Sequence, residues 1–198
     1  MKNLKKNIGI LLAVLLIMAL SCGAYYGYLR LSGNIHTVIP GQVYRSAQLS
    51  PSQLQAVIDE HHIKAIIDLA PNFGGHSEEL TVAAQNHVAH FDLGLSAYTD
   101  PTPSQLKQLD NLIRVAPRPL LIHCGYGVDR TGLASAMALA LTPNYPDWKI
   151  KLQYSLFYFA LSPHSIGKTV MGAYFANLLK QNLPSTPARF QAWVQSQN

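Results

Sequence analysis

This 198-residue chain is poor in cysteine and in charge. Its two cysteines, Cys22 and Cys124, exclude a disulfide-stapled scaffold, and no paired spacing suggests structural zinc. Charged residues make up only 13% of the chain against 48% hydrophobic, which excludes a disordered or fibrous protein. Internal repeats and low-complexity tracts are absent too. The formal charge of +5 is the one hint of a polyanionic partner, and its location removes the hint. Of the 15 Lys and Arg residues, Lys2, Lys5, Lys6 and Arg30 lie in the leader; from Leu31 onward 11 basic residues face 10 acidic ones. A near-neutral body carries no nucleic-acid footprint.

The leader has a long uncharged run instead. Lys6 and Arg30 bracket 23 uncharged residues: Asn7, the apolar run IGILLAVLLIMAL at 8–20 and SCGAYYGYL to Leu29. As a helix the run would measure about 35 Å, enough to cross a bilayer core of about 30 Å. The three lysines before it and Tyr25, Tyr26 and Tyr28 at its end predict a cytoplasmic N-terminus and an outer aromatic belt. A cleaved signal is the alternative, with Ala19-Leu20-Ser21 as a passable cleavage site before Cys22. A lipoprotein signal ranks third, because Ala19 and Leu20 invert the expected order. Residues 1–30 therefore read as a signal-anchor or signal peptide that meets the membrane through residues 8–29. Residues 31–198 read as a domain on the extracytoplasmic side of the inner membrane, or secreted or periplasmic after cleavage. Cys22 reads as an inert thiol in the membrane helix.

The body alternates short apolar runs with amphipathic helices. Strand-like runs fall at 43–47, 63–69, 88–95 and 119–123, and Pro71–Gly75 reads as a loop. Helices start at Ser50-Pro51, with Leu54, Val57 and Ile58 on one face, at Ser77, and at Thr102, where Thr102 and Gln105 have capping-box spacing. After residue 130 the pattern is all helix, over 130–141, 147–160, 165–181 and 186–196. The expected architecture is a three-layer α/β domain with a small central sheet of about four strands and a helical C-terminal flank.

Chemistry concentrates in residues 123–132, HCGYGVDRTG, which follow an apolar strand and open a helix. That position presents free backbone N–H groups to an anion. Gly125 and Gly127 let the loop curl into a phosphate-sized nest that also includes Tyr126, Val128 and Asp129. Cys124 sits at its base, where the helix dipole and converging amides favour the thiolate. Arg130 can hold two phosphoryl oxygens in a bidentate fork, a geometry that lysine lacks. Thr131 brings a hydroxyl within reach of the sulfur, and His123 can hold the cysteine in register.

This C-x5-R-T loop resembles that of the cysteine-dependent protein tyrosine and dual-specificity phosphatases. VYRSAQLSPSQLQAVIDEHHIKAIIDL is similar to the opening of small bacterial members. The resemblance covers residues 43 to about 141 and implies a compact phosphatase fold and a two-step reaction without metal or cofactor. Cys124 would attack phosphorus to form a phosphocysteine; a carboxylic acid would protonate the leaving oxygen and then activate water. The expected substrate is a phosphorylated protein, with a phospholipid or phosphoinositide as the alternative and a phosphate-binding pseudoenzyme as the third reading.

The family takes its general acid from a mobile loop upstream of the cysteine. Asp100, 24 residues before Cys124 in SAYTDPTP, is preferred to Asp92, 32 residues before it but inside a strand-like run; Asp110 reads as facing outward from a helix. An acid directly before the loop arginine, here Asp129, occurs in several lipid phosphatases and in some bacterial tyrosine phosphatases, yet Gly125, Tyr126 and Val128 bring no positive charge for extra phosphates. Tyr126 either lines the cleft or packs beside it. His61, His62, His76, His87 and His90 read as surface or satisfied histidines, since no carboxylate cluster completes a metal site. The run 148–161 reads as core against the sheet, with a membrane-surface helix as the alternative.

Overall fold

The structure, a computed structural model, describes residues 2–71 and 77–198 and divides into two compact units, Met1–Ser32 and Gly33–Asn198. The first is a single helix, α1 (Lys2–Leu31). Its segment Lys6–Leu31, with mean hydropathy 2.4, is the one helix among the described residues long and apolar enough to cross a membrane.

The second unit is built on a five-stranded sheet in the order β1-β2-β5-β3-β4. The strands are β1 (His36–Ile39), β2 (Val43–Ala47), β3 (Ala65–Asp68), β4 (Ala89–Asp92) and β5 (Leu120–Cys124). β1 runs antiparallel to β2 and the other pairings are parallel, with β5 at the centre. Side chains alternate across each strand and so feed two cores. On one face Ile67, Ile122 and Cys124 pack in the large core with α4 (Pro103–Val115), α5 (Asp129–Ala140), α7 (Ile166–Gln181) and α8 (Pro187–Gln195). On the other, Tyr44, Ile66 and Leu121 meet Leu54, Val57 and Ile58 of α2 (Pro51–His61) and Val82 and Ala83 of α3 (Ser77–Gln85). The three layers match the expectation. Both capping boxes form, Ser50 with Gln53 on α2 and Thr102 with Gln105 on α4.

The structure corrects three expectations. β1 is a fifth strand: its four residues, one exposed and with a register shift between Thr37 and Ile39, leave too short an alternation to read. The run 147–160 is not one helix. It breaks into α6 (Asp147–Leu152) and a 3-10 turn (Leu156–Tyr158) closed by left-handed Phe159. The break coincides with buried Arg45, which takes the Gln153 carbonyl at 2.7 Å and stacks on the Tyr158 ring at 3.7 Å. Ile150, Tyr154 and Tyr158 of this run are buried, whereas Trp148, Leu156, Phe157 and Leu161 are exposed. Asp110 does not face outward: it is fully buried on α4, with one oxygen 3.2 Å from the Arg114 Nε. Residues 72–75 of the expected loop, and His76, lie outside the described residues.

Candidate active site

At the carboxyl edge of the parallel strands, β5 ends on Cys124 and α5 begins at Asp129, so the loop between them forms where an α/β sheet presents its ligand crevice. Gly127 at φ +66° is required there: a Cβ would stand 2.6 Å from the Ala47 nitrogen and the Ser46 carbonyl oxygen. β2 thus backs the loop directly, and two buried side chains fasten it. The Arg45 Nη2 donates to the Gly127 carbonyl at 2.7 Å, and the Asn34 Nδ2 donates to the Tyr126 and Gly127 carbonyls at 3.2 Å. Burial pulls the Arg45 guanidinium down to about 10, against the opposing influence of Tyr158 and Cys124, and leaves it cationic at neutral pH. Carbonyls turned outward onto these donors free the loop amides to face inward.

Cys124 is 2% exposed at the floor of the loop. Burial acts to raise its thiol. The Arg130 charge, the Thr131 hydroxyl and the backbone N–H groups of Thr131 and Tyr126 outweigh burial and set the thiol below its ordinary value. Arg130 is held by its Nη1, which donates to the Leu69 carbonyl at 3.4 Å and the Leu95 carbonyl at 3.3 Å. Val128 occupies the N-cap of α5 without a side-chain cap, and Thr131 is buried behind the sulfur. Tyr126 is 59% exposed, so its ring is not packed into the core. Half-buried Asp129 has its carboxyl raised by burial, in spite of Lys168, Arg130 and Ser165 nearby.

The two aspartates expected to compete as acid sit in different places. Asp100 is exposed on the 93–102 connection, whose Leu95 carbonyl touches Arg130, and its carboxylate accepts from the Thr169 hydroxyl. Asp92 ends β4, 3.8 Å from the Nδ1 of His90. Alternation along β4 directs Phe91 to the Cys124 face, and so directs His90 and Asp92 to the other.

His90 is a satisfied histidine, as expected, but carboxylates do gather around it. His90 belongs to a buried cluster with Asp68, Glu79 and His123, whose potential ligand atoms all lie within 4.8 Å of one another. His87 is not part of it. These residue types could hold a divalent cation, but in the geometry seen the Glu79 Oε1 is already engaged by the Nε2 of His90 at 2.8 Å and of His123 at 2.9 Å. Burial lowers His123, and the Glu79 hydrogen bond, the Glu79 and Asp68 charges and Cys124 raise it further than burial lowers it. The two histidines conversely hold the Glu79 carboxyl far below the usual range although burial opposes them. The sequence reading placed His123 in the site but missed Arg45, Asn34, Glu79 and His90. A charged residue inside the VYRSA strand was the one local signal for Arg45.

A cysteine at the floor of an amide-lined loop, closed by an arginine and carried on this sheet, defines a cysteine-dependent phosphatase. The family profile described as "Polymorphic toxin system, DSP-PTPase phosphatase" matches residues 41–143, just over half of the chain. The chain belongs to that DSP-PTPase family. No protein of curated function matches it in sequence. Among solved structures it resembles the core catalytic domain of the PP-IP phosphatase Siw14 from S. cerevisiae, with TM-score 0.58 and 21% identity over 75% of this chain and 93% of that one. It also resembles P. aeruginosa TpbA in complex with pTyr, with TM-score 0.54 and 15% identity over 84% of this chain and 86% of that one. A third is a putative phosphatase from Neisseria meningitidis, with TM-score 0.53 and 19% identity over 69% and 96%. At these identities the likeness is one of fold.

Proposed function

We propose that the protein hydrolyses phosphomonoesters of phosphorylated proteins through a phosphocysteine on Cys124, on the extracytoplasmic side of a membrane that α1 crosses. The observation that carries this reading is the buried Cys124 thiol, set low by Arg130, Thr131 and the loop amides. The thiolate attacks phosphorus in line, the Cys–S–P bond forms and the P–O bond to the leaving group breaks. Arg130 and the inward amides hold the equatorial oxygens as charge spreads over them. Asp100 gives its proton to the leaving oxygen, then takes one from the water that cleaves the S–P bond, releasing phosphate and restoring the thiolate. The exposed 93–102 connection supports Asp100 in this role, and the position of Asp92 on the opposite sheet face speaks against it. The membrane placement rests on Lys2, Lys5 and Lys6 before the apolar run and on its length.

A phospholipid or phosphoinositide is the second reading, favoured by the apolar helix, which would keep the enzyme beside a bilayer. A substrate panel run on the full-length protein tests both. A phosphotyrosine peptide should turn over faster than phospholipid vesicles, with activity unaffected by EDTA and blocked by vanadate. The reverse preference supports the lipid reading, and no turnover on any ester removes both.

A further inference from the structure

The cluster behind Cys124 lies on the α2/α3 face of the sheet. β5 turns Ile122 and Cys124 to the large core and His123 to the other face, where the register of β3 sets Asp68 beside it. Glu79 descends from α3 onto this row and is buried, with 5% of its side chain exposed, as are His123 at 3% and His90 at 8%. Both oxygens of the carboxylate are engaged: Oε1 takes both histidine Nε2 donors and Oε2 takes the Gln48 amide. Gln48 in turn donates its backbone N–H to the Gly125 carbonyl at 3.4 Å. Glu79 therefore reaches the phosphate loop by two routes, through His123 at the cysteine and through Gln48 at Gly125.

The charges facing His123 come from three directions. β3 supplies Asp68, 3.7 Å from its Nδ1, α3 supplies Glu79, and β5 itself supplies Cys124. β2 contributes only Ser46 opposite His123, and β4 brings His90 and Asp92 to the far side of Glu79. An imidazole between two buried carboxylates is held as a cation. We propose that Glu79, anchored by His90, is a positioning residue of the nucleophile: it keeps His123 charged behind the Cys124 sulfur and ties the Gly125 end of the loop to α3. The inference rests on Cys124 as the nucleophile and adds two residues on α3 and β4 to the machinery that sets it.

The test is the pH dependence of Cys124 alkylation by iodoacetamide in the full-length protein carrying Cys22→Ser, read with the pH profile of kcat/KM. Glu79→Gln should move the alkylation midpoint and the acid limb upward together by about one pH unit. His90→Phe should move both the same way by less, and His90→Gln, which keeps an N–H toward Glu79, should restore them. Unmoved midpoints in folded Glu79→Gln and His90→Phe, or a loss of rate equal at every pH, overturn the proposal. Turnover surviving in Cys124→Ser would instead overturn the reading of the nucleophile, which the alkylation measurement does not depend on.

Discussion

Two connections meet at Arg130, and they are built in opposite ways. Residues 124–130 are fastened from behind: Arg45, Asn34 and the Gln48 amide take their outward carbonyls, and Gly127 sits against β2 where no side chain fits. Residues 93–102 are exposed over most of their length. Their start is tied by backbone bonds from Leu93 to Asp68 and from Leu95 to Leu69. Beyond these they are held by the Leu95 carbonyl on Arg130, the Gln105 side chain on the Gly94 carbonyl and the Thr169 hydroxyl on Asp100. A rigid oxyanion cradle costs no reorganisation when charge develops, whereas an acid that serves two steps has to move. Under the proposed mechanism the difference in fastening divides the labour between them.

The sharpest way to break this comparison is Cys124→Ser. It should abolish turnover yet keep phosphate-ester binding, since the cradle persists without the sulfur; measurable turnover refutes covalent catalysis there. Next comes Asp100→Asn, which should lower turnover of a phosphotyrosine peptide by about two to four powers of ten. The p-nitrophenyl ester should suffer far less, its leaving group needing little protonation. Asp92→Asn serves as control, and if it alone shows that pattern the assignment passes to Asp92. Arg45→Met is expected to lose less, about one to two powers of ten in kcat, by freeing the Gly127 carbonyl from a charged donor worth about 1.5–3 kcal/mol. Equal loss on both esters identifies a cradle defect. The smallest effect should be Thr169→Val, a drop of about two- to fivefold on phosphotyrosine with Thr169→Ser restoring the rate.

How far the sequence reveals this site follows from the range of its contacts. Cys124, Arg130 and Thr131 stand in one short motif whose strand-to-helix setting is local, so the cradle is legible. Its fastenings are not. Arg45 lies 82 residues from Gly127 and Glu79 44 residues from His123, and only the sheet order β2-β5-β3-β4 brings them together. A longer separation, 108 residues, hides the break at Gln153, where Arg45 takes a carbonyl from a run whose apolar spacing reads as continuous helix. Asp110 looks outward by helical spacing but is buried beneath its Arg114 partner. The partners of His90 are hidden for the same reason: they come from α3 and, through Glu79, from β5.

The central claim is tested most directly by acid-quenching the native full-length protein during turnover of p-nitrophenyl phosphate and sequencing the peptides by mass spectrometry. The account predicts a phosphoryl group on Cys124, absent with vanadate and accumulating in Asp100→Asn, where hydrolysis of the S–P bond slows more than its formation. Steady turnover with no phosphate on Cys124, or with phosphate on another residue, would contradict it.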